Sequence, residues 1–356
     1  MARIIYGVMG EGRGHSSRSK IIIEHLLSKG HEVKIITSRK GYAYLSQFFD
    51  DVTDIMGLSF VFKKQKIDIG KTIQKNLEKG VTRGPKTIGR LLKIFDEFNP
   101  DLAITDFEPF VPGVSYWKGV PFISINHQHL IAHCNLEYLK EWDQDFFYAN
   151  AVVNNMYRFA SQYFITSFYF PPIKKQFRKK TELVGPILRK EVLRQKIKDK
   201  DHILVYATTK ESKAILKTLK RMDENFIAYG FGKDKRSGNI TFKKPSTDGF
   251  LKDLAECKAV ITNGGYSLMA EALFMGKPVY SIPINKQFEQ MLNAYYLERL
   301  GYGIYDLNHS KERIQQFIEG LDYFKKNIRR DKELFNGNND LFRMLDKKVK
   351  QFSKGK

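Results

Sequence analysis

Two glycine-rich turns mark the places in this chain where backbone could meet an anion. The first, Met9-Gly10-Glu11-Gly12-Arg13-Gly14-His15, comes after the apolar run Ile4-Ile5-Tyr6-Gly7-Val8. The second, Asn263-Gly264-Gly265-Tyr266-Ser267, comes after Ala259-Val260-Ile261-Thr262 and opens a helical stretch that stops at Gly276, before Pro278. Glycines at a strand-to-helix turn leave N–H groups free to face an anion, with the helix dipole behind them. Glu271 lies about one turn into that helix, where a carboxylate can accept two hydroxyl hydrogen bonds from a ribose. The arrangement fits a nucleoside diphosphate. Packing alone also produces strand–Gly-Gly–helix turns, and the residues downstream shift the balance toward a site. The acid–amide pair Glu289-Gln290 lies beyond the strand Pro278–Ile282, at the edge where open α/β sheets place ligands.

The elements that must position these groups are those of an α/β protein. Residues 4–8 read as a buried strand, a helix runs from about Ser17 to Ser28, Gly30 closes it, and His31–Thr37 is the next strand. This is one βαβ unit of a parallel sheet. At 356 residues the chain holds two domains, each with its own core. With 42% hydrophobic and 28% charged residues it is globular rather than disordered, and no apolar run reaches the roughly 18–20 residues of a membrane span. The opening strand leaves no signal-peptide pattern, and Cys134 and Cys257 lack disulfide or metal spacing. A reduced, cytoplasmic location is expected.

The second region, with Gly264-Gly265, Glu271, Gly276-x-Pro278, Pro283 and Glu289-Gln290-x-x-Asn293-Ala294, resembles the donor-site signature of nucleotide-sugar glycosyltransferases of the GT-B fold. The resemblance extends to inverting UDP-glycosyltransferases and lipid-linked N-acetylglucosaminyltransferases. It implies two Rossmann-like domains facing a cleft, with 1–184 on the acceptor side, 185–200 as linker around Val184-Gly185-Pro186-Ile187, and 201–338 binding the donor. Residues 339–356 would return to the first domain. Gly264, Gly265, Tyr266 and Ser267 would hold the diphosphate, Glu271 the ribose, and Glu289 and Gln290 the sugar hydroxyls. Phe250 sits where relatives hold the base, and Thr209 and Lys210 where a phosphate could rest or a helix be capped. The G-x-G-x-G-H turn resembles the acceptor-facing loop of inverting members, with Gly12, Arg13 and Gly14. In Pro100-Asp101-(x)4-Asp106, the second aspartate would orient His15 as the base that takes a hydroxyl proton. Glu108 is a spare candidate base. His127 and His129 belong to a polar loop read as acceptor-facing; the trio with His133 lacks a fourth ligand, so no metal site is expected. One departure is Asn263, where many relatives carry histidine or arginine; Arg13 or Lys210 would supply that cation.

These features together point to an inverting, metal-independent glycosyltransferase using a nucleoside-diphosphate sugar as co-substrate and no other cofactor. The acceptor is a glycan, a lipid or a small molecule, cell-envelope material included. The net charge of +21 fits phosphorylated ligands, an anionic membrane surface or a solvated lysine-rich face. Residues 60–95 interleave ten lysines and arginines with apolar residues, either as a peripheral contact with the inner leaflet or as an ordinary amphipathic helix. Two rival classes remain. A nucleotide-sugar epimerase of the same fold needs further acids that are not evident, and a basic nucleic-acid module leaves Glu271 and Glu289-Gln290 without purpose.

Overall fold

The computed structural model describes residues 1–57, 62–63, 66–67, 69–156, 158–206 and 214–353. Short, β-branched runs form its strands, and most are buried on both faces, as parallel strands covered by helices must be. In the first half these are β1 (Arg3–Val8), β2 (Glu32–Thr37), β3 (Val52–Asp54), β4 (Phe62–Lys63), β5 (Lys66–Ile67), β6 (Leu102–Asp106), β7 (Phe122–Asn126), β8 (Gln162–Thr166) and β9 (Thr181–Val184). β4 and β5 pair only with each other; the rest form a parallel sheet in the order β3-β2-β1-β6-β7-β8-β9. The second half has β10 (Ile203–Tyr206), β11 (Phe226–Tyr229), β12 (Lys235–Ser237), β13 (Ile240–Phe242), β14 (Ala259–Thr262), β15 (Val279–Ser281) and β16 (Gly303–Tyr305). Their order is β12-β13-β11-β10-β14-β15-β16, parallel except for the β12–β13 pair.

Among its parallel strands each sheet reverses order once. In the first the reversal falls between β1 and β6, where Val8 pairs with Asp106; in the second between β10 and β14, where Tyr206 pairs with Thr262. Crevices of open α/β sheets form at the carboxyl ends of such neighbours, because the crossovers leave in opposite directions. Both glycine-rich turns grow from these two points.

The helix after the first turn spans Arg13–Ser28, a turn earlier than the sequence suggested. Gly12, at φ 81°, supplies the left-handed residue before it, so His15 stands on the helix's first turn rather than in a loop. One core cluster joins the halves: Leu130, Ile131, Phe168 and Tyr169 pack with Leu204, Met269, Leu292 and Tyr296. The helix Asn338–Ser353 lays Leu341, Leu345 and Val349 onto Ile4, Tyr6 and Leu102 of the first sheet. A 30-residue helix, Ile69–Phe98, carries Pro85 in its interior. Among the described residues no helix is long and apolar enough to cross a membrane.

Candidate functional site

At the first switch point Asp106 is fully buried at the end of β6, and three side chains converge on it. Arg18 grips it in bidentate fashion, Nε to Oδ2 and Nη2 to Oδ1, both at 2.6 Å. Ser19 Oγ donates to Oδ2 at 3.1 Å, and His15 Nδ1 lies 2.7 Å from Oδ1. Burial works to raise the Asp106 carboxyl, but Arg18 and then His15 overcome it and hold the group below its ordinary value. His15 Nδ1 is also 2.8 Å from Arg18 Nη2. A guanidinium only donates and a carboxylate only accepts, so one proton position must prevail. Arg18 is already satisfied by Asp106, which favours Nδ1–H donating to Oδ1 and leaves Nε2 with its lone pair. The Phe107 ring lies near-parallel to the imidazole, with centroids 6.1 Å apart.

At the second switch point the helix Tyr266–Phe274 begins without a side-chain cap. Gly264 is there for packing: a Cβ on it would run into the Gln290 carbonyl. Gly265 has open space where a Cβ would point. A Cβ on Gly14 would strike Ser267 Oγ, so the two glycine-rich turns meet across the halves. Beside this contact lies a cavity of about 400 Å³. Arg13, Gly14, Ser17 and Tyr44 line it from the first half; Tyr206, Tyr229, Phe250, Ser267 and Glu271 line it from the second. The ring of Phe250 makes edge contacts with Tyr206 and Tyr229, giving an aromatic wall. Glu271 is buried and held by Arg189, with Nε–Oε1 and Nη2–Oε2 both 2.9 Å. Burial raises the Glu271 carboxyl, and Arg189 offsets part of the rise.

Several bonds cross between the halves deeper in. Gln128 Nε2 donates to Glu289 Oε2 at 3.0 Å. His127 Nε2 lies 2.8 Å from Asn293 Oδ1, and its Nδ1 lies 2.8 Å from the Thr166 carbonyl oxygen. Asn293, itself fully buried, accepts from Tyr169 Oη and donates through Nδ2 to the Gly264 carbonyl. The turn that opens the second helix is therefore held from the far half.

Several expected site residues take other places. His127 and His129 do not face an acceptor: both are buried, His127 in the bridge just described and stacked on Tyr266, His129 against Asn126 and Ser124. An imidazole surrounded by apolar and aromatic groups loses its proton readily, and burial holds both below the ordinary histidine value. The Tyr266 side chain is likewise buried, so only its backbone remains toward the turn. Glu108 is not a base poised over the cleft. Its two oxygens accept the Phe110 and Val111 N–H groups and cap the helix Phe110–Trp117, and burial pushes its carboxyl up to about 7. Asn263 donates to the Ile282 carbonyl and ties β14 to the strand beside it. The Gln290 side chain accepts from Ile284 N. Thr209 and Lys210 lie outside the described residues.

Sequence reasoning missed Arg18, Arg189 and Gln128. Arg18 could have been found, since it stands one helical turn beyond His15 and so shares its face. Arg189 and Gln128 meet partners 82 and 161 residues away, and no periodicity announces that.

Two largely parallel α/β sheets that turn their switch points toward one cavity define a two-lobed α/β architecture. The chain belongs to glycosyl transferase family 1, whose model it matches over residues 2–322. It is a glycosyltransferase, and its fold is GT-B. It is similar to an uncharacterized glycosyltransferase of Methanosarcina acetivorans, 23% identical over 337 residues that cover 85% of this chain and 82% of that one. Among solved structures it resembles the glycotransferase of kitacinnamycin, with a TM-score of 0.72 and 13% identity over 97% and 98% of the two chains. The glycosyltransferase SsfS6 of Streptomyces sp. SF2575, complexed with thymidine diphosphate, aligns with a TM-score of 0.66 and 14% identity over 98% and 100%.

Proposed function

We propose that this glycosyltransferase takes its sugar from a nucleoside diphosphate and passes it to an acceptor hydroxyl with inversion at the anomeric carbon. The observation that carries the reading is the His15–Asp106 contact set beside a cavity lined from both halves. In it, the base lies against the Phe250 wall and the ribose hydroxyls bond the remaining lone pairs of the Glu271 oxygens, each of which already accepts one bond from Arg189. The diphosphate meets the uncapped start of the helix Tyr266–Phe274 together with Arg13 and Arg189, so the helix dipole and fixed cations stabilise the departing charge without assigning that task to a metal. His15 Nε2 takes the acceptor proton, and a single displacement inverts the centre. Arg18 then has a defined task. It pairs with Asp106 through both carboxylate oxygens, so the carboxylate that fixes the imidazole's orientation is itself held in place.

Thermal unfolding with UDP, TDP and their sugars tests this. A nucleotide at about a hundred times its Kd adds about 2.7 kcal/mol of apparent stability. Glu271→Gln should abolish that gain, whereas His15→Ala should keep it and lose turnover by about 10²–10⁴-fold. Wild-type turnover by His15→Ala would sink the assignment of the base.

The first half also bears a surface that favours an acceptor met at a lipid interface. Trp117, Tyr116, Phe159 and Ile88 are exposed, and Tyr116 stacks on Phe159 at 4.5 Å. Ile88, Phe110 and Trp117 line a surface depression of about 360 Å³. Lys86 and Lys118 are exposed nearby in sequence. Aromatic rings beside cations suit the headgroup region of an anionic leaflet.

A further inference from the structure

Arg189 comes to the donor half from the segment between β9 and β10, which joins the two halves, and its backbone is fixed on both sides. Before it, Asn338 accepts from Leu188 N at 2.8 Å and donates to the Leu188 carbonyl at 2.9 Å. A Cβ on Gly337 would run into the Gly185 backbone, so this segment and the one leading to the last helix cross in contact. After it, the Arg189 carbonyl accepts from Val192 N and Leu193 N, and Lys190 Nζ lies 3.0 Å from Glu24 Oε2 of the helix Arg13–Ser28. The guanidinium that meets Glu271 is thus aimed by anchored backbone. Its side chain is 19% exposed and that of Glu271 10%, and both residues line the cavity between the halves. The two-pronged bond spends one lone pair on each carboxylate oxygen.

A carboxylate offers about four lone pairs, so about two remain for a ligand, one on each oxygen. That changes what the acid can discriminate. A buried acceptor that depends on a substrate hydroxyl rejects the analogue lacking it by about 10⁴-fold or more, because the acceptor is then left unpaired. Each Glu271 oxygen already has a partner, so a missing ribose hydroxyl leaves no orphan behind. The loss is then the net worth of one ordinary hydrogen bond, about two- to tenfold in affinity. We propose that Arg189 sets the ribose specificity of the nucleotide site: by satisfying Glu271 in advance, it lets the enzyme take ribose and 2′-deoxyribose nucleoside diphosphates with similar affinity. The inference rests on the nucleotide reading above and assigns to a residue of the connecting segment the tolerance of that site.

The test is calorimetric titration of the full chain with UDP and 2′-deoxy-UDP, which share base and diphosphate, in wild type, Arg189→Met, Arg189→Lys and Glu271→Gln. Expected is a wild type that favours UDP by less than about tenfold. Arg189→Met leaves the carboxylate dependent on the ligand, so its preference for UDP should grow by at least about tenfold. Arg189→Lys keeps the charge but cannot span both oxygens, and its preference should shift in the same direction, which guards against a poorly folded Met variant. A wild-type preference above about tenfold overturns the inference and leaves the donor reading intact. So does equal weakening of both nucleotides in the two Arg189 variants, which would make Arg189 a ligand of the diphosphate alone or a structural tie. Wild-type UDP affinity in Glu271→Gln, or a wild type that binds neither nucleotide, overturns the donor reading as well.

Discussion

Asp106, Phe107 and Glu108 are consecutive, yet each meets a different physical fate. Asp106 is charged because Arg18 and His15 more than offset its burial; its contribution to stability is present above the unfolded value and fades as pH falls through the lower folded one. Phe107 takes a left-handed φ of 58°, costing roughly 1–2 kcal/mol for a residue with a Cβ. The chain bends there, between the carboxylate that meets His15 and the carboxylate that caps the next helix. Glu108 is the opposite case to Asp106. Its folded value is raised from 4.5 to about 7, so the protonated form is the one the fold favours. The stability it contributes is therefore full below about 4.5 and is lost as pH rises toward about 7. Glu108→Gln should remove that decline, amounting to about 3 kcal/mol at most, while costing about 1 kcal/mol for the one N–H its single carbonyl can no longer cap. Urea midpoints from pH 4.5 to 8 check this; parallel curves for wild type and variant would refute it.

At the scale of the element, the strand–Gly-Gly–helix turn carries two requirements in two adjacent residues. Gly264 permits the close approach of the helix Phe288–Arg299, and its carbonyl is held by Asn293. Gly265, at φ −70°, needs no special backbone freedom and faces open space. Gly264→Ala should therefore destabilise the fold by about 1–3 kcal/mol through overpacking. Gly265→Ala should leave the urea midpoint unchanged and weaken nucleoside-diphosphate binding, because its methyl group would stand where the phosphates approach. If Gly265→Ala binds UDP and TDP as the wild type does, the diphosphate lies elsewhere. The same turn touches Gly14 through Ser267, so the first turn of each lobe is shaped by the other.

For the whole molecule the question is what an excess of 21 positive charges is for. Of the basic stretch in the long helix, Lys86, Arg90 and Lys93 are exposed, and Arg90 Nη1 is engaged with the Asp54 carbonyl. Exposed Trp117, 71% accessible, sits at the next helix's end with Lys118 Nζ 5.7 Å from its ring centroid. A lysine near an anionic leaflet contributes about 1 kcal/mol, which salt screens within a Debye length. The full chain should float with vesicles of mixed anionic lipid at low salt and release at high salt, and Trp117→Ala should release at lower salt. Failure to float at any salt would leave the charge to soluble phosphorylated ligands.

Local pattern was enough for much of this. Runs such as Ala259–Thr262 read as buried strands and a glycine pair between strand and helix as a turn, so the parallel α/β class and the turn at Gly264-Gly265 could be read from residue order, while the two facing lobes came through a resemblance. So could His15 and Asp106 as a candidate pair, through a resemblance rather than through spacing. What tertiary structure alone decided is which polar groups are already spent. Glu108 looked like a base and proved to be a cap, because two backbone N–H groups of its own helix reach it. His127 and His129 read as acceptor-facing and are buried, His127 stacked on Tyr266 of the other half and His129 against Asn126, Ser124 and Tyr163 of its own. Arg189 on Glu271 and Gln128 on Glu289 are pairs across large sequence separations. A hydrogen bond depends on position in space to a few tenths of an ångström, and only the packed lobes set those positions.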